Sequence, residues 1–248
     1  MTTTLQSRPV RTTAAEVCRL FKLSPLGATL LKPEHAAPEF FDLLVEAGLY
    51  ADARRLLAHA LPPRRAVWWA GLCLTDSARQ KPLAEAAERD ALDAAVRWAA
   101  QPCEATRRAA EKAGWAARPT TAAGNLAMAA FLSGGSISRP GLPAVLPKPH
   151  LCGRLCGVAV YLASVRFDPA RYKDHLRDYL AVGREVAQGK NLPPDLPPLP
   201  DPDPVPAPGT AAFPHLAELM SRYLGGQWGN QMSAAAGGAL PESEATHE

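Results

Sequence analysis

Cys152 and Cys156, with His150 nearby, are the residues whose types and spacing come closest to a metal site. Cysteines four positions apart share one face of a helix, but zinc needs four convergent ligands, or three and a water. No second cluster in the sequence completes such a set. Gly153 and Gly157 make the run CGRLCG typical of close helix packing instead, so we expect no metal site and no cofactor.

Catalytic motifs are also missing from the sequence. The SGGS segment at 133–136 lacks the GxxxxGK[ST] pattern of a phosphate loop and follows a predicted helix, so it indicates a helix C-cap and a turn. No carboxylate pair in an apolar run suggests acid–base chemistry. An enzyme is therefore the less favoured interpretation. The remaining candidates for general bases are isolated histidines: His35, His59, His150 and His175.

Two adjacent tryptophans, Trp68 and Trp69, lie in the apolar run RRAVWWAGLCL. Neighbouring residues of an α-helix point about 100° apart, so one indole can fill the core while the other faces a groove and anchors a partner. The alternative is that both indoles are core, which is normal for a helix that is apolar on all sides.

Paired arginines are the main basic feature. Arg64 and Arg65 lie in the first turn of the tryptophan helix, where positive charge opposes the helix dipole and needs a carboxylate or an external anion. The pairs at 54–55 and 107–108 (Arg107 and Arg108) are expected to align with them and bind an acidic peptide, a phosphoprotein or nucleic acid. Nucleic acid is the least favoured because lysine is scarce and no recognised motif occurs. The alternative is ion pairing within the chain, to Glu46, Asp52, Glu104 and Glu111.

Charge is divided unevenly along the 248 residues. Residues 1–192 carry 26 Lys and Arg against 17 Asp and Glu, a net +9, whereas residues 193–248 carry one against seven, a net −6.

The five cysteines mostly lie in apolar stretches, which indicates free thiols in a reducing compartment. No apolar run resembles a signal peptide, and the most apolar stretch, 151–165, contains Arg154 and is too short to span a bilayer. We expect a soluble, cytoplasmic protein without a membrane contact.

Caps, proline stops and apolar stripes predict helices from residue 13 to about residue 190, with no strand pattern. The expected fold is all-α, either an irregular helical bundle or a short α-solenoid of helix pairs. The predicted helical domain covers 13–192, after a disordered arm at 1–12. A weak repeat places ADARRLLAHAL before AVWWAGLCL, and EATRRAAEKA before GNLAMAAFL.

The C-terminal region has a different composition. Residues 193–208 contain nine prolines, so 193–210 is predicted to be a stiff linker in the polyproline II conformation. A short amphipathic helix is expected at 211–225 and a disordered tail at 226–248. The helix would dock in a partner's groove or fold back to cap the body. Its apolar stripe consists of Phe213, Leu216, Met220, Tyr223 and Leu224.

The runs RRAVWWAGLCL, AAFLSGGSI and CGVAVYLA together resemble an uncharacterised bacterial domain family of unknown function, with an AVWWA helix and an SGGS turn. The resemblance covers about residues 13–190. It implies a bacterial origin and a single all-helical domain, but it implies no activity and no catalytic residues.

Two functions are consistent with these patterns. The first is a non-catalytic adaptor or scaffold that binds another protein, possibly an acidic one, through the basic helical face or the C-terminal helix. The second is an enzyme or small-molecule-binding protein with a pocket near Trp68, Arg65 and the turn at Ser133–Ser136.

Overall fold

A computed structural model describes residues 13–139 and 141–192, and the structural statements below concern this part of the chain. The chain divides into two units, Met1–Pro204 and Val205–Glu248, and every described residue belongs to the first. The predicted arm, proline linker, C-terminal helix and tail lie outside the described residues. So do the site candidates Phe213, Leu216, Met220 and Tyr223.

Within the described residues the chain forms ten α-helices and no strand, which confirms the all-α prediction. A single 3₁₀ turn, Pro169–Arg171, precedes the last helix. The helices are α1 (Ala14–Cys18), α2 (Pro25–Leu30), α3 (Ala37–Glu46), α4 (Tyr50–Ala60), α5 (Pro63–Gln80), α6 (Ala86–Ala100), α7 (Glu104–Ala116), α8 (Ala122–Phe131), α9 (Leu151–Val165) and α10 (Tyr172–Ala187).

Local sequence signals set most of these boundaries. The Thr13 hydroxyl accepts a hydrogen bond from the Glu16 amide at the start of α1, and Thr121 caps α8 in the same way. Prolines occupy the first turns of α3 and α5, where the missing amide hydrogen does no harm. Gly48, at φ +69°, follows the end of α3 in the left-handed conformation that glycine adopts most easily.

Helix α9 lies at the centre of the fold, packed against α4, α5, α8 and α10. It therefore contacts helices far from it in sequence, whereas a solenoid unit would contact only its neighbours. The arrangement is an irregular bundle. Helix α7 packs along α8, but α4 lies mainly against α3, α9 and α10, so the two halves of the weak sequence repeat have different surroundings.

Both tryptophans of α5 are in the core. Trp68 is 3% exposed and Trp69 is fully buried. The Trp68 indole donates to the Asn191 carbonyl at 2.6 Å, and the Trp69 indole donates to the Tyr179 carbonyl at 2.8 Å. The structure therefore favours the core interpretation for both, because neither ring has a free face for a partner.

Trp115 of α7 faces solvent, with its side chain 61% exposed. The buried face of α7 instead carries Arg107, Ala110 and Gly114. Met128 of α8 would lie 3.0 Å from a Cβ on Gly114, so that glycine brings α7 and α8 together. Among the described helices, none combines the length and apolar composition needed to cross a membrane.

Candidate functional site

The arginines that begin α5 bind the ends of neighbouring helices. Arg64 donates from Nε to the Ala99 carbonyl at 2.7 Å and from Nη2 to the Ala100 carbonyl at 2.9 Å, at the C-terminus of α6. Arg65 donates to the Ala187 carbonyl at 3.2 Å, where α10 ends. Cations are favourable at helix C-termini, so these two side chains stabilise the bundle at the position where their own helix dipole opposes them.

Arg107 and Arg108 form a hydrogen-bonded cluster with two glutamates and the carbonyls of the SGGS turn. Arg107 bonds both oxygens of Glu104 at 2.6 and 2.7 Å and donates to the Phe131 and Ser136 carbonyls, each at 2.7 Å. Arg108 pairs with Glu104 and Glu111 and also donates to the Ser136 and Ser138 carbonyls. The alternative interpretation, ion pairing within the chain, therefore describes this pair.

The turn and Glu104 are adapted to this cluster. Gly135 has φ +67°, and a Cβ there would lie 3.1 Å from Arg107 Nε. Burial alone raises the pKa of Glu104, but the hydrogen bonds from Arg107 and Arg108 outweigh burial and lower that pKa below its usual value. The SGGS segment is thus a structural turn whose carbonyls accept arginine donors.

Arg54 and Arg55 of α4 have far fewer acceptors. The carboxylate that faces them, Asp52, is buried and joins α2 to α4: it accepts the Ser24 amide at 3.1 Å and the Ser24 hydroxyl at 2.5 Å. Arg55 donates to Asp52 from Nη1 at 2.9 Å. Within the described residues, that is the one hydrogen bond of the Arg55 guanidinium.

Arg54 is a buried cation without a carboxylate bonded to it in the described region. It is 9% exposed, donates from Nη1 to the Gly157 carbonyl, and its Nε has no hydrogen-bond partner. Its guanidinium lies 5.5 Å from the centroid of the Tyr161 ring, a cation–π distance. Burial and the neighbouring Arg55 lower the pKa of Arg54 to about 10, so it stays charged at neutral pH.

Two glycines of α9 allow α4 to approach closely enough for this arrangement. A Cβ on Gly153 would lie 2.2 Å from His59 Nδ1 and 2.6 Å from the Ala58 carbonyl oxygen. A Cβ on Gly157 would lie 3.1 Å from Arg54 Nη1. The close packing expected from CGRLCG is confirmed, and it is what places Arg54 against α9.

Two adjoining clefts open on either side of Arg54 and Arg55. The first, of about 530 Å³, is named here the tyrosine cleft; the second, of about 450 Å³, is the histidine cleft. The tyrosine cleft is lined by Ser24, Gly48, Leu49, Tyr50, Ala51, Asp52, Arg54, Arg55, Tyr161, Tyr172, Lys173 and Leu176. The histidine cleft is lined by Leu20, Phe21, Lys22, Arg54, Arg55, His59, His150, Gly153, Arg154, Gly157 and Val158.

The two clefts, together the basic double cleft, are strongly cationic. Their linings contain five cations and one carboxylate, which gives a net charge of +4 with neutral histidines. Lys22, Arg154 and Lys173 are exposed and make no ion pair within the described residues. Aromatic rings lie beside the charges: Tyr161 meets Tyr172 edge-on at 6.5 Å, and Phe21 lies 5.3 Å from His59.

A third cavity, of about 320 Å³, is an apolar groove between α3, α4 and the end of α10, with Arg65 and Arg184 at its rim. The linings of these three cavities include neither Trp68 nor any residue of the turn at 133–136. The structure therefore does not join Trp68, Arg65 and that turn in one of these pockets.

Sequence analysis included Arg54 and Arg55 only as one of three arginine pairs expected to bind an acidic ligand, and it missed Lys22, Arg154 and Lys173. One available signal was Arg154, a charged residue in the otherwise apolar α9. Another was the charge of α4, where two adjacent arginines accompany one acid, Asp52. The aromatic lining had no sequence signal, because Tyr50, Tyr161 and Tyr172 come from separate helices.

No curated protein and no solved structure matches the chain. Residues 40–187 match one family, described as a family of unknown function (DUF6931). The match runs from α3 to the last residue of α10 and so includes Arg54, Arg55, Tyr161 and Lys173, while Lys22 and Ser24 precede it. Since the matched region is more than half of the 248 residues, the chain belongs to this family of unknown function.

Proposed function

We propose that this protein is a non-catalytic binding module that receives an acidic segment of another protein in the basic double cleft. The observation that carries the proposal is the sharing of Arg54 and Arg55 by two adjoining clefts whose linings have a net charge of +4. An extended acidic chain lying across Arg54 and Arg55 contacts both clefts at once. This moves the expected interaction surface away from Arg64, Arg65, Arg107 and Arg108, whose donors bind the chain's own carbonyls and carboxylates.

Electrostatics supports an acidic partner. Clefts lined by charges of one sign focus the field and raise the local concentration of ligands of the opposite sign. The wider body adds to this effect, since residues 1–192 carry a net +9. Complementary charge of this kind chiefly increases the association rate and the specificity.

The polar groups that resemble catalytic groups have structural partners, which supports a non-catalytic role. Ser24 and Asp52 are hydrogen-bonded to each other, and the Ser24 hydroxyl also accepts the Gly27 amide at the start of α2. A Cβ on Gly27 would lie 2.5 Å from Asp52 Oδ2, so α2 fits tightly over this carboxylate. An activated nucleophile needs a general base oriented toward it and a site for substrate, whereas these groups hold two helices together.

The alternative, an enzyme or small-molecule-binding protein using Trp68, Arg65 and Ser133–Ser136, stays a prediction with less support. Trp68 is buried, and the Ser136 carbonyl already accepts two arginines.

A bacterial, cytoplasmic setting is part of the proposal. The free thiols support it: four of the five cysteines are buried, and burial raises the pKa of Cys73 and Cys156 well above the ordinary value. Thiols of this kind are inert and persist unpaired in a reducing compartment.

The test uses the full chain and a fluorescent peptide of alternating glutamate and serine, followed by anisotropy. Lys22→Glu combined with Lys173→Glu reverses one exposed charge in each cleft. We expect this double variant to bind the peptide at least about tenfold more weakly, a loss of about 1.4 kcal/mol. Raising the salt concentration should weaken wild-type binding.

The matched control is Lys81→Glu combined with Lys112→Glu, which makes the same charge change at exposed lysines outside both clefts. This control should bind the peptide nearly as well as the wild type. Equal losses in the two double variants would show that only net charge matters, and absence of peptide binding to the wild type would exclude the proposal.

A further inference from the structure

We infer that the tyrosine cleft is a subsite for a phosphorylated side chain carried by the acidic segment, with the phosphate held between Arg54, Arg55 and Lys173. The inference rests on the proposed function and deepens it, because it specifies what the acidic segment carries at one position. Three features support this subsite: the net charge of the cleft lining, the hydrogen-bond donors of its arginines, and the N-terminus of α4, which lies at the cleft.

Charge balance favours a phosphate monoester over a carboxylate. The lining of the tyrosine cleft has three cations, Arg54, Arg55 and Lys173, and one carboxylate, Asp52, for a net charge of +2. A phosphorylated side chain carries about −1.5 to −2 at pH 7, which neutralises this lining. A single glutamate supplies one negative charge and leaves the lining with a net charge of +1.

Hydrogen-bond donors without a partner among the described residues belong to the arginines that line this cleft. The hydrogen bonds of Arg55 within the described residues involve only Nη1, which leaves Nε and Nη2 for a ligand. Arg54 is 9% exposed, lines the cleft and has a buried Nε without a partner. Guanidinium groups bind phosphate through paired N–H donors, so Nε and Nη2 of Arg55 offer a binding fork, Arg54 adds its positive charge beside it, and Lys173 is a point charge at the rim.

Helix α4 also points its amino end into this cleft. Leu49 precedes the helix and has no side chain that can cap it, and Gly48, Leu49, Tyr50 and Ala51 all line the cleft. Amides at a helix N-terminus are anion donors, and the helix dipole adds about half a positive charge there. This feature reinforces the subsite that the arginines establish.

The experiment compares two fluorescent peptides that are identical except at one central position, phosphoserine in one and glutamate in the other. Binding to the full chain is measured by anisotropy for the wild type and for single variants. We expect the phosphopeptide to bind about tenfold more tightly than the glutamate peptide. Arg55→Gln and Lys173→Gln should remove this preference for phosphate.

Variants in the histidine cleft provide the internal comparison. Lys22→Gln and Arg154→Gln should weaken both peptides by the same factor and leave the preference for phosphate intact. Lys112→Gln, outside both clefts, should change neither affinity. Thermal melting of each variant verifies that it is folded; in Arg55→Gln the buried Asp52 carboxylate keeps its hydrogen bonds from the Ser24 amide and hydroxyl.

Different failures have different meanings. If both peptides bind through the double cleft with equal affinity, or if the preference survives Arg55→Gln and Lys173→Gln, the phosphate subsite is wrong and the proposed function stands. If neither peptide binds, the proposed function fails. If inorganic phosphate, or an oligonucleotide of similar charge, competes as well as the phosphopeptide, a protein segment is not the ligand and both ideas are overturned.

Discussion

Two adjacent-arginine pairs, equivalent in sequence, have opposite surroundings in the structure. Arg107 and Arg108 donate to two carboxylates and to three backbone carbonyls, those of Phe131, Ser136 and Ser138. Among the described residues, Arg54 and Arg55 have one carboxylate, already bonded to Ser24, and one carbonyl, that of Gly157. The first pair is bonded within the fold, whereas the second pair keeps hydrogen-bond donors without an acceptor among the described residues.

The difference shows why a basic motif alone does not identify a ligand site. Buried arginine needs acceptors because an unpaired buried charge is costly. Where the chain supplies enough acceptors, as at the SGGS turn, the pair is structural. Where the described residues supply too few around a cleft, as at Arg54 and Arg55, we propose that an external anion completes the set. If this reasoning holds, the number of acceptors around an arginine pair distinguishes a structural pair from a ligand-binding pair.

The largest effect is expected for Arg107→Met. The change removes a buried cation, leaves the Phe131 carbonyl without its side-chain donor and leaves Glu104 with Arg108 alone. The bonds from Arg107 to the buried Phe131 carbonyl and to Glu104 have a charged donor, and each such bond contributes about 1.5–3 kcal/mol, so chemical denaturation should show a loss of about 3–5 kcal/mol. Lys112→Met, at an exposed position of the same helix, is the control and should change stability little. A silent Arg107→Met would mean that the bonds at the turn are dispensable.

A buried charge of the opposite sign tests the same reasoning. Asp93 in α6 has a buried Oδ1 without a partner, and burial raises its pKa to about 6 despite Arg97 and Arg89. The folded state therefore binds a proton more tightly than the unfolded state, so stability decreases as the pH rises from about 4 to about 6. We expect Asp93→Asn to stabilise the protein at neutral pH by at most about 3 kcal/mol.

Denaturation at pH 4 and pH 7.5 measures this difference. The stability gain from Asp93→Asn should be present at the higher pH and largely absent at the lower one. An equal gain at both values would show that ionisation of Asp93 is not the cause, and a loss at neutral pH would mean that the carboxylate has a stabilising partner.

Local signals in the sequence were sufficient for most of the fold, because caps and prolines act over a few residues. Helix starts are predicted in this way by Thr13, Thr121 and the prolines in the first turns of α3 and α5. Helix α2 has a weaker sequence signal, because its six residues have no apolar stripe, and it is held by the tertiary bonds of Ser24 to Asp52.

Errors and omissions arose where side chains from distant segments decide the outcome. On α7 the small alanines do not define one apolar face, and the carbonyls of the SGGS turn bury Arg107 while Trp115 stays exposed. The candidate site had the same difficulty. The pair Arg54–Arg55 is visible in the sequence, but its shortage of acceptors depends on how α9 and α10 pack around α4.

An intermediate effect is expected from the glycines that support Arg54. Alanine is favoured over glycine in a helix by about 1 kcal/mol, yet a Cβ on Gly153 would lie 2.6 Å from the Ala58 carbonyl oxygen. Overpacking of this kind costs about 1–3 kcal/mol, so Gly153→Ala should destabilise the protein in denaturation experiments. Gly157→Ala meets only the end of the Arg54 side chain and should destabilise it less. The reverse order would contradict the observed α4–α9 contact.

The smallest stability effect is expected for Arg54→Met, and it distinguishes the two pairs most directly. Methionine keeps an apolar side chain of similar length and removes a desolvated charge whose Nε has no hydrogen-bond partner in the described region. The Gly157 carbonyl loses a donor but keeps its bond within α9. Replacing a poorly paired buried charge by an apolar side chain of similar size is often neutral or stabilising.

We therefore expect Arg54→Met to change the free energy of unfolding by less than about 1 kcal/mol, while the preference for the phosphopeptide over the glutamate peptide is lost. Denaturation and anisotropy on the same preparation measure both quantities. A loss of stability as large as that of Arg107→Met would make Arg54 a structural residue, and the contrast between the pairs would disappear. Unchanged stability with an unchanged preference would show that Arg54, although it lines both clefts, does not contact the phosphate, and the proposed subsite would be wrong.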